Sequence, residues 1–114
     1  VAALQQEGLF VQIETAGIGP IPQPRPDWIT FSPKRFQAPH PDYYHACDEL
    51  KVVIHAQSDF RWAEHQRAKL ARQVPAFLQP DTYQAAALDW VITYVKAHPE
   101  WRLSLQVHRY LALP

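Results

Sequence analysis

The run LKVVIHAQSDFRWAEHQRAKLARQVPAFLQPDTYQAAALDWVITYVKAHPEWRLSLQVH, residues 50–108, switches repeatedly between the two-residue period of strands and the 3.6-residue period of helices. Residues 50–55 (LKVVIH) read as a strand, rich in β-branched side chains. Ser58 or Asp59 is placed to cap a helix running to about residue 73, with Phe60, Ala63, Leu70 and Val74 as inner positions and Val74-Pro75 as its stop. Residues 76–79 (AFLQ) make a short buried strand ended by Pro80. Asp81, with Gln84 three residues on, has the pattern of a capping box for a second helix, in which Leu88, Val91, Ile92 and Val95 form an apolar stripe. His98-Pro99 closes that helix, and residues 102–108 (RLSLQVH) alternate more cleanly than any other segment. Strands and helices in alternation predict an α/β fold with parallel strands and helices on the outside.

Upstream, residues 9–14 (LFVQIE) and 28–32 (WITFS) read as two further strands. Between them lies a stiff loop with Pro20, Pro22, Pro24 and Pro26, where regular structure is blocked. Residues 43–47 suit a short helical turn. The opening residues, 1–8, read like the last turns of a helix ending at a glycine stop. A domain rarely begins there, so the chain reads as the back part of something longer.

Composition narrows the classes. At 114 residues the chain is one domain's worth at most. Eleven Lys and Arg balance 11 Asp and Glu, which removes the electrostatic case for a nucleic-acid partner. No apolar run approaches the ~20 residues of a membrane span, so a cytoplasmic protein with no membrane partner is expected. One cysteine, Cys47, excludes a disulfide framework or a cysteine metal cage within these residues. His40, His45, His55, His65 and His98 follow no metal-ligand spacing, and surface or packing roles are expected of them.

The strands carry polar faces. Ser104, Gln106 and His108 share one side of the last strand, Gln12 and Glu14 one side of the first, Thr30 and Ser32 one side of the second, and the short strand ends in Gln79. Parallel strands covered by helices on both faces are apolar on both. A sheet covered on one side only, with a polar cavity on the other, accounts for the pattern. An antiparallel sheet with one wet face does so too; the intervening helices favour the half-barrel.

Five segments then occur in order: Ile13-Glu14-Thr15-Ala16-Gly17, Asp27-Trp28-Ile29-Thr30-Phe31-Ser32-Pro33-Lys34, Asp48-Glu49-Leu50-Lys51-Val52-Val53, Phe77-Leu78-Gln79-Pro80, and Trp101-Arg102-Leu103-Ser104-Leu105-Gln106-Val107-His108-Arg109. The set resembles the C-terminal half of the 7-carboxy-7-deazaguanine synthase family of radical S-adenosylmethionine enzymes. The resemblance implies that residues 1–114 are part of a radical S-adenosylmethionine domain, the C-terminal half of a partial (β/α) barrel. It implies a homodimeric carbon–nitrogen lyase using S-adenosylmethionine, a 4Fe-4S cluster and Mg2+. That lyase contracts the ring of 6-carboxy-5,6,7,8-tetrahydropterin to 7-carboxy-7-deazaguanine, a precursor of queuosine and other deazapurines.

By resemblance, Ser32, Pro33, Lys34, Gln79, Pro80, Asp81 and Thr82 bind S-adenosylmethionine, and the chain end, Pro114, meets the pterin. Glu14, Thr15, Gln106 and His108 support the pocket. Asp81 directly follows Pro80, one position earlier than in many members, and an ordinary helix cap is the alternative for it. The cluster cysteines and the Mg2+ ligand of the family have no counterpart in this sequence, so no residue here is expected to be catalytic or to bind metal, and these residues alone are expected to be inactive. Two other readings stand beside this one: part of another radical enzyme of the activase type, and a non-catalytic α/β interaction domain.

Overall fold

The computed structural model describes residues 2–106. Its elements are α1 (Ala2–Gln6), β1 (Gln12–Thr15), β2 (Trp28–Phe31), α2 (Tyr43–Ala46), β3 (Glu49–Ile54), α3 (Asp59–Ala68), β4 (Ala76–Pro80), α4 (Ala87–Ala97) and β5 (Arg102–Leu103). The five strands form one sheet in sequence order, every pair parallel. Each connection adds the next strand at the same growing edge, by a loop from β1 to β2 and through a helix in each later case.

Register separates the faces. Ile13 lies beside Ile29, Phe31 beside Leu50, Val52 beside Leu78 and Ile54 beside Pro80. These side chains meet α2, α3 and α4 in a single core with Tyr43, Tyr44, Ala63, Val91 and Trp101. Helices therefore cover one face, and the opposite face carries the polar positions. The antiparallel alternative falls away, and the parallel sheet with helices on its apolar side is borne out.

Element ends differ from the pattern where tertiary contacts intervene. The first strand was expected over 9–14, yet β1 starts at Gln12, and Leu9 and Phe10 are exposed. Pro26, before the partner strand, has no N–H to donate to a ladder carbonyl, and the Val11 N–H goes to the Asp27 carboxylate at 2.7 Å rather than to a strand carbonyl. The helix expected to reach about residue 73 ends at Ala68, because the Ala71 N–H turns aside to the Tyr44 carbonyl at 3.0 Å. The last strand, expected over 102–108, spans only Arg102–Leu103, although the Ser104 N–H still reaches the Leu78 carbonyl at 3.0 Å. The glycine stop of α1 is present, with Gly8 at φ +79°.

Candidate functional site

The polar face collects side chains from all the strands. Glu14 lies beside Thr30, Thr30 beside Glu49, Lys51 beside Phe77 and Val53 beside Gln79. The Lys51 ammonium donates to Glu14 Oε1 at 2.5 Å, and the Thr30 hydroxyl donates to the Glu49 carboxylate. Ser104 Oγ donates to Gln79 Oε1 at 3.3 Å. Glu14, Thr30, Glu49, Lys51, Phe77 and Ser104 line a shallow concavity of about 180 Å³.

A second group gathers at the C-terminal ends of the strands, where open parallel sheets hold their ligands. Ser32, Pro33 and Lys34 follow β2, His55 follows β3, and Asp81 and Thr82 follow Pro80 at the end of β4. Ser32 falls on the same face as Thr30. It is 2% exposed, and its Oγ has no hydrogen-bond partner among the described residues. A buried hydroxyl left unpaired costs about 1–3 kcal/mol, so a water, an ion or a ligand group is needed to satisfy it. Further along the same rim, a concavity of about 540 Å³ opens between Lys34, Arg35, Phe36, His55 and Asp59.

Two aspartates hold this rim. Asp59 Oδ2 accepts the N–H groups of His55 (2.8 Å) and Ala56 (3.0 Å), and Arg35 donates to its Oδ1 at 2.6 Å. Burial alone would raise the Asp59 pKa; the two backbone donors and Arg35 outweigh it and hold the carboxyl below its ordinary value. Asp81 accepts the Tyr83 N–H on Oδ1 at 3.0 Å, and its Oδ2 lies 2.9 Å from His55 Nδ1. Its expected role as a cap of the second helix is not what the fold uses. That helix, α4, begins at Ala87 with no side-chain cap, because Asp81 closes a turn and faces His55 instead.

The residues singled out from sequence divide accordingly. Ser32, Pro33, Lys34, Pro80, Asp81 and Thr82 come to one rim, and Glu14 and Gln79 to the polar face. Thr15 does not face the cavity: it pairs in register with the core residue Phe31, and its Oγ1 accepts the Gly17 N–H at 3.0 Å. Gln106 is half-buried beyond β5. His108 and Pro114 lie outside the described residues. Thr30, Glu49, Lys51 and His55 were assigned to no site. The alternation of ELKVVI, with Leu50, Val52 and Ile54 fully buried, contains the signal for Glu49 and Lys51. Nothing local signals His55, whose partner is 26 residues away.

The chemistry of Cys47 does not suit a cluster ligand. Its side chain is buried on the helix-covered side, and burial pushes the thiol up to about 11, so it keeps its proton where a ligand must be a thiolate. Among the described residues, no three His, Cys, Asp or Glu side chains are grouped to hold a metal ion. Among the described residues, no helix is long and apolar enough to cross a membrane.

No family model matches the chain. Curated relatives do. It is 38% identical over 110 residues to a 7-carboxy-7-deazaguanine synthase of Synechocystis, covering 96% of the chain and 52% of that protein. It is also 38% identical over 112 residues to one of Flavobacterium psychrophilum, covering 97% and 53%. Among solved structures, the QueE protein of Escherichia coli superposes with a TM-score of 0.72 at 25% identity, over 92% of the chain and 48% of that structure. The chain thus spans about half the length of the relatives it matches. The resemblance carried by the five segments is borne out along nearly the whole chain.

Proposed function

We propose that this chain, kin along its length to the 7-carboxy-7-deazaguanine synthases, supplies the C-terminal half of such an enzyme's cofactor and substrate cavity. The observation that carries this is the buried, unpartnered Ser32 hydroxyl, set in a Ser-Pro-Lys segment at the C-terminal end of a parallel strand. Ser32 and Lys34 suit the methionyl carboxylate and ribose hydroxyls of S-adenosylmethionine: a hydroxyl both donates and accepts, and an ammonium donates to carboxylate. Pro80, Asp81 and Thr82 at the rim, with Gln79 on the polar face beside them, would bind the rest of the cofactor. Bound there together with a 4Fe-4S cluster and Mg2+, S-adenosylmethionine would supply radical chemistry, with Ser32 and Lys34 holding its polar groups.

The polar face below the rim is suited to a pterin. Carboxylates such as Glu14 and Glu49 accept hydrogen bonds from a guanine-like edge, and Phe77 offers an apolar wall. By the same resemblance, Gln106, His108 and Pro114 would contribute to that pocket. With this assignment go a homodimeric carbon–nitrogen lyase of deazapurine and queuosine formation, a small-molecule partner and a cytoplasmic setting. The zero net charge supports the absence of a nucleic-acid partner.

The test uses the full-length protein, reconstituted without oxygen and supplied with 6-carboxy-5,6,7,8-tetrahydropterin. Formation of 7-carboxy-7-deazaguanine is expected. Ser32→Ala should raise the KM for S-adenosylmethionine about tenfold, the worth of one hydrogen bond to a charged group. Failure to form the product, or an unchanged KM in the variant, would overturn the assignment.

A further inference from the structure

His55 is held from two sides. Its main chain is fixed by the Asp59 carboxylate, which accepts its N–H at 2.8 Å and is itself tied to Arg35 at 2.6 Å. Its ring is fixed by Asp81, whose Oδ2 lies 2.9 Å from Nδ1. The Asp81 N–H in turn donates to the Ile54 carbonyl at 3.0 Å, so the two residues ride on the ends of adjacent paired strands. Yet the His55 side chain stays 63% exposed, lining the concavity shared with Lys34 and Phe36. An exposed ring gains little stability from being immobilised, whereas a binding group gains from it, because less entropy is lost when the ligand arrives.

The pairing also sets the ring's chemistry. An ionised carboxylate only accepts, so Nδ1 carries the proton towards Asp81. In the neutral imidazole Nε2 is then an acceptor. The same concavity is lined by the cation Lys34 and by Phe36, which is 94% exposed. An acceptor beside a cation and an exposed aromatic suits a nucleoside, which brings hydroxyl and amino donors, a π-face and, in S-adenosylmethionine, a carboxylate.

We infer that His55 is a cofactor-binding residue: positioned by Asp81, its Nε2 accepts a hydrogen bond from the adenosine part of S-adenosylmethionine. This rests on the reading of the rim as the S-adenosylmethionine site. The experiment measures equilibrium binding of S-adenosylhomocysteine to the full-length protein by calorimetry, independently of turnover. His55→Ala should weaken binding about tenfold, the loss of one hydrogen bond. His55→Gln, whose Oε1 lies near the place of Nε2, should restore most of it. Asp81→Asn offers an amide donor to Nδ1 and moves the proton to Nε2, so it too should weaken binding, and the double variant with His55→Ala should lose no more than the weaker-binding single variant.

If Ser32→Ala weakens binding and His55→Ala does not, the role of His55 is wrong and the cofactor rim stands. Fully additive losses in the double variant would overturn the coupling to Asp81. If the unmodified protein fails to bind S-adenosylhomocysteine, or if neither Ser32→Ala nor His55→Ala matters, the rim is not a site for this nucleoside and both conclusions fall.

Discussion

Gly17 shows how much one residue can carry. It ends the turn after β1 at φ +79°, where a side chain is disfavoured, and an added Cβ would stand 2.8 Å from the Phe31 ring. Gly8 has the same φ with nothing within 4 Å. Gly17→Ala should therefore cost about 2–4 kcal/mol, backbone strain plus overpacking, and Gly8→Ala about 1 kcal/mol from strain alone. Urea midpoints of the two variants measure this, and equal losses would contradict the close approach to Phe31. In sequence, Gly17 reads only as the end of a strand. Its neighbour Phe31 is 14 positions away, and their contact comes from β1 and β2 pairing in parallel.

The strands divide labour by face. In β4, Leu78 is fully buried under the helices, while in β3 the Lys51 ammonium faces the polar side and pairs with Glu14. Leu78→Ala should cost about 2–5 kcal/mol through lost burial and a cavity. Lys51→Met should change stability by about 1 kcal/mol or less, because a pair whose carboxylate is half exposed is weak. Thermal unfolding of both variants checks the split, and comparable losses would mean that the polar face is structural. This division was legible in the alternation of ELKVVI and WITFS. Element lengths were not, because Tyr44, Asp27 and Asp81 intercept backbone groups that the local pattern assigned to helix or strand.

Across the molecule, two aspartates pin opposite ends of the sheet. Asp59 holds the C-terminal rim; Asp48, at the other end, accepts from Arg25 at 2.8 Å, the Ile29 N–H at 2.8 Å and Arg72 at 3.3 Å. Burial would raise the Asp48 pKa, but Arg25 and the Ile29 N–H outweigh it, so it too lies below its ordinary value. A carboxyl lowered by folding stabilises the protein above its unfolded pKa, about 3.9, and that contribution is lost as pH falls through the lower folded value. Stability should hold through neutral pH and fall below about pH 4, and Asp48→Asn should flatten that acid limb in a pH series of urea midpoints. An unchanged limb would show that the ties to Asp48 contribute nothing. Fold class, the parallel sense of the strands and the side on which polar groups lie were all written locally, because side-chain period and β-α alternation are short-range properties. The Ser-Pro-Lys and Gln-Pro segments were equally readable. The meeting of His55 with Asp81, the orphaned Ser32 hydroxyl and the turn of Thr15 away from the cavity belong to the folded molecule alone, because each depends on the register in which parallel strands distant in sequence lie side by side.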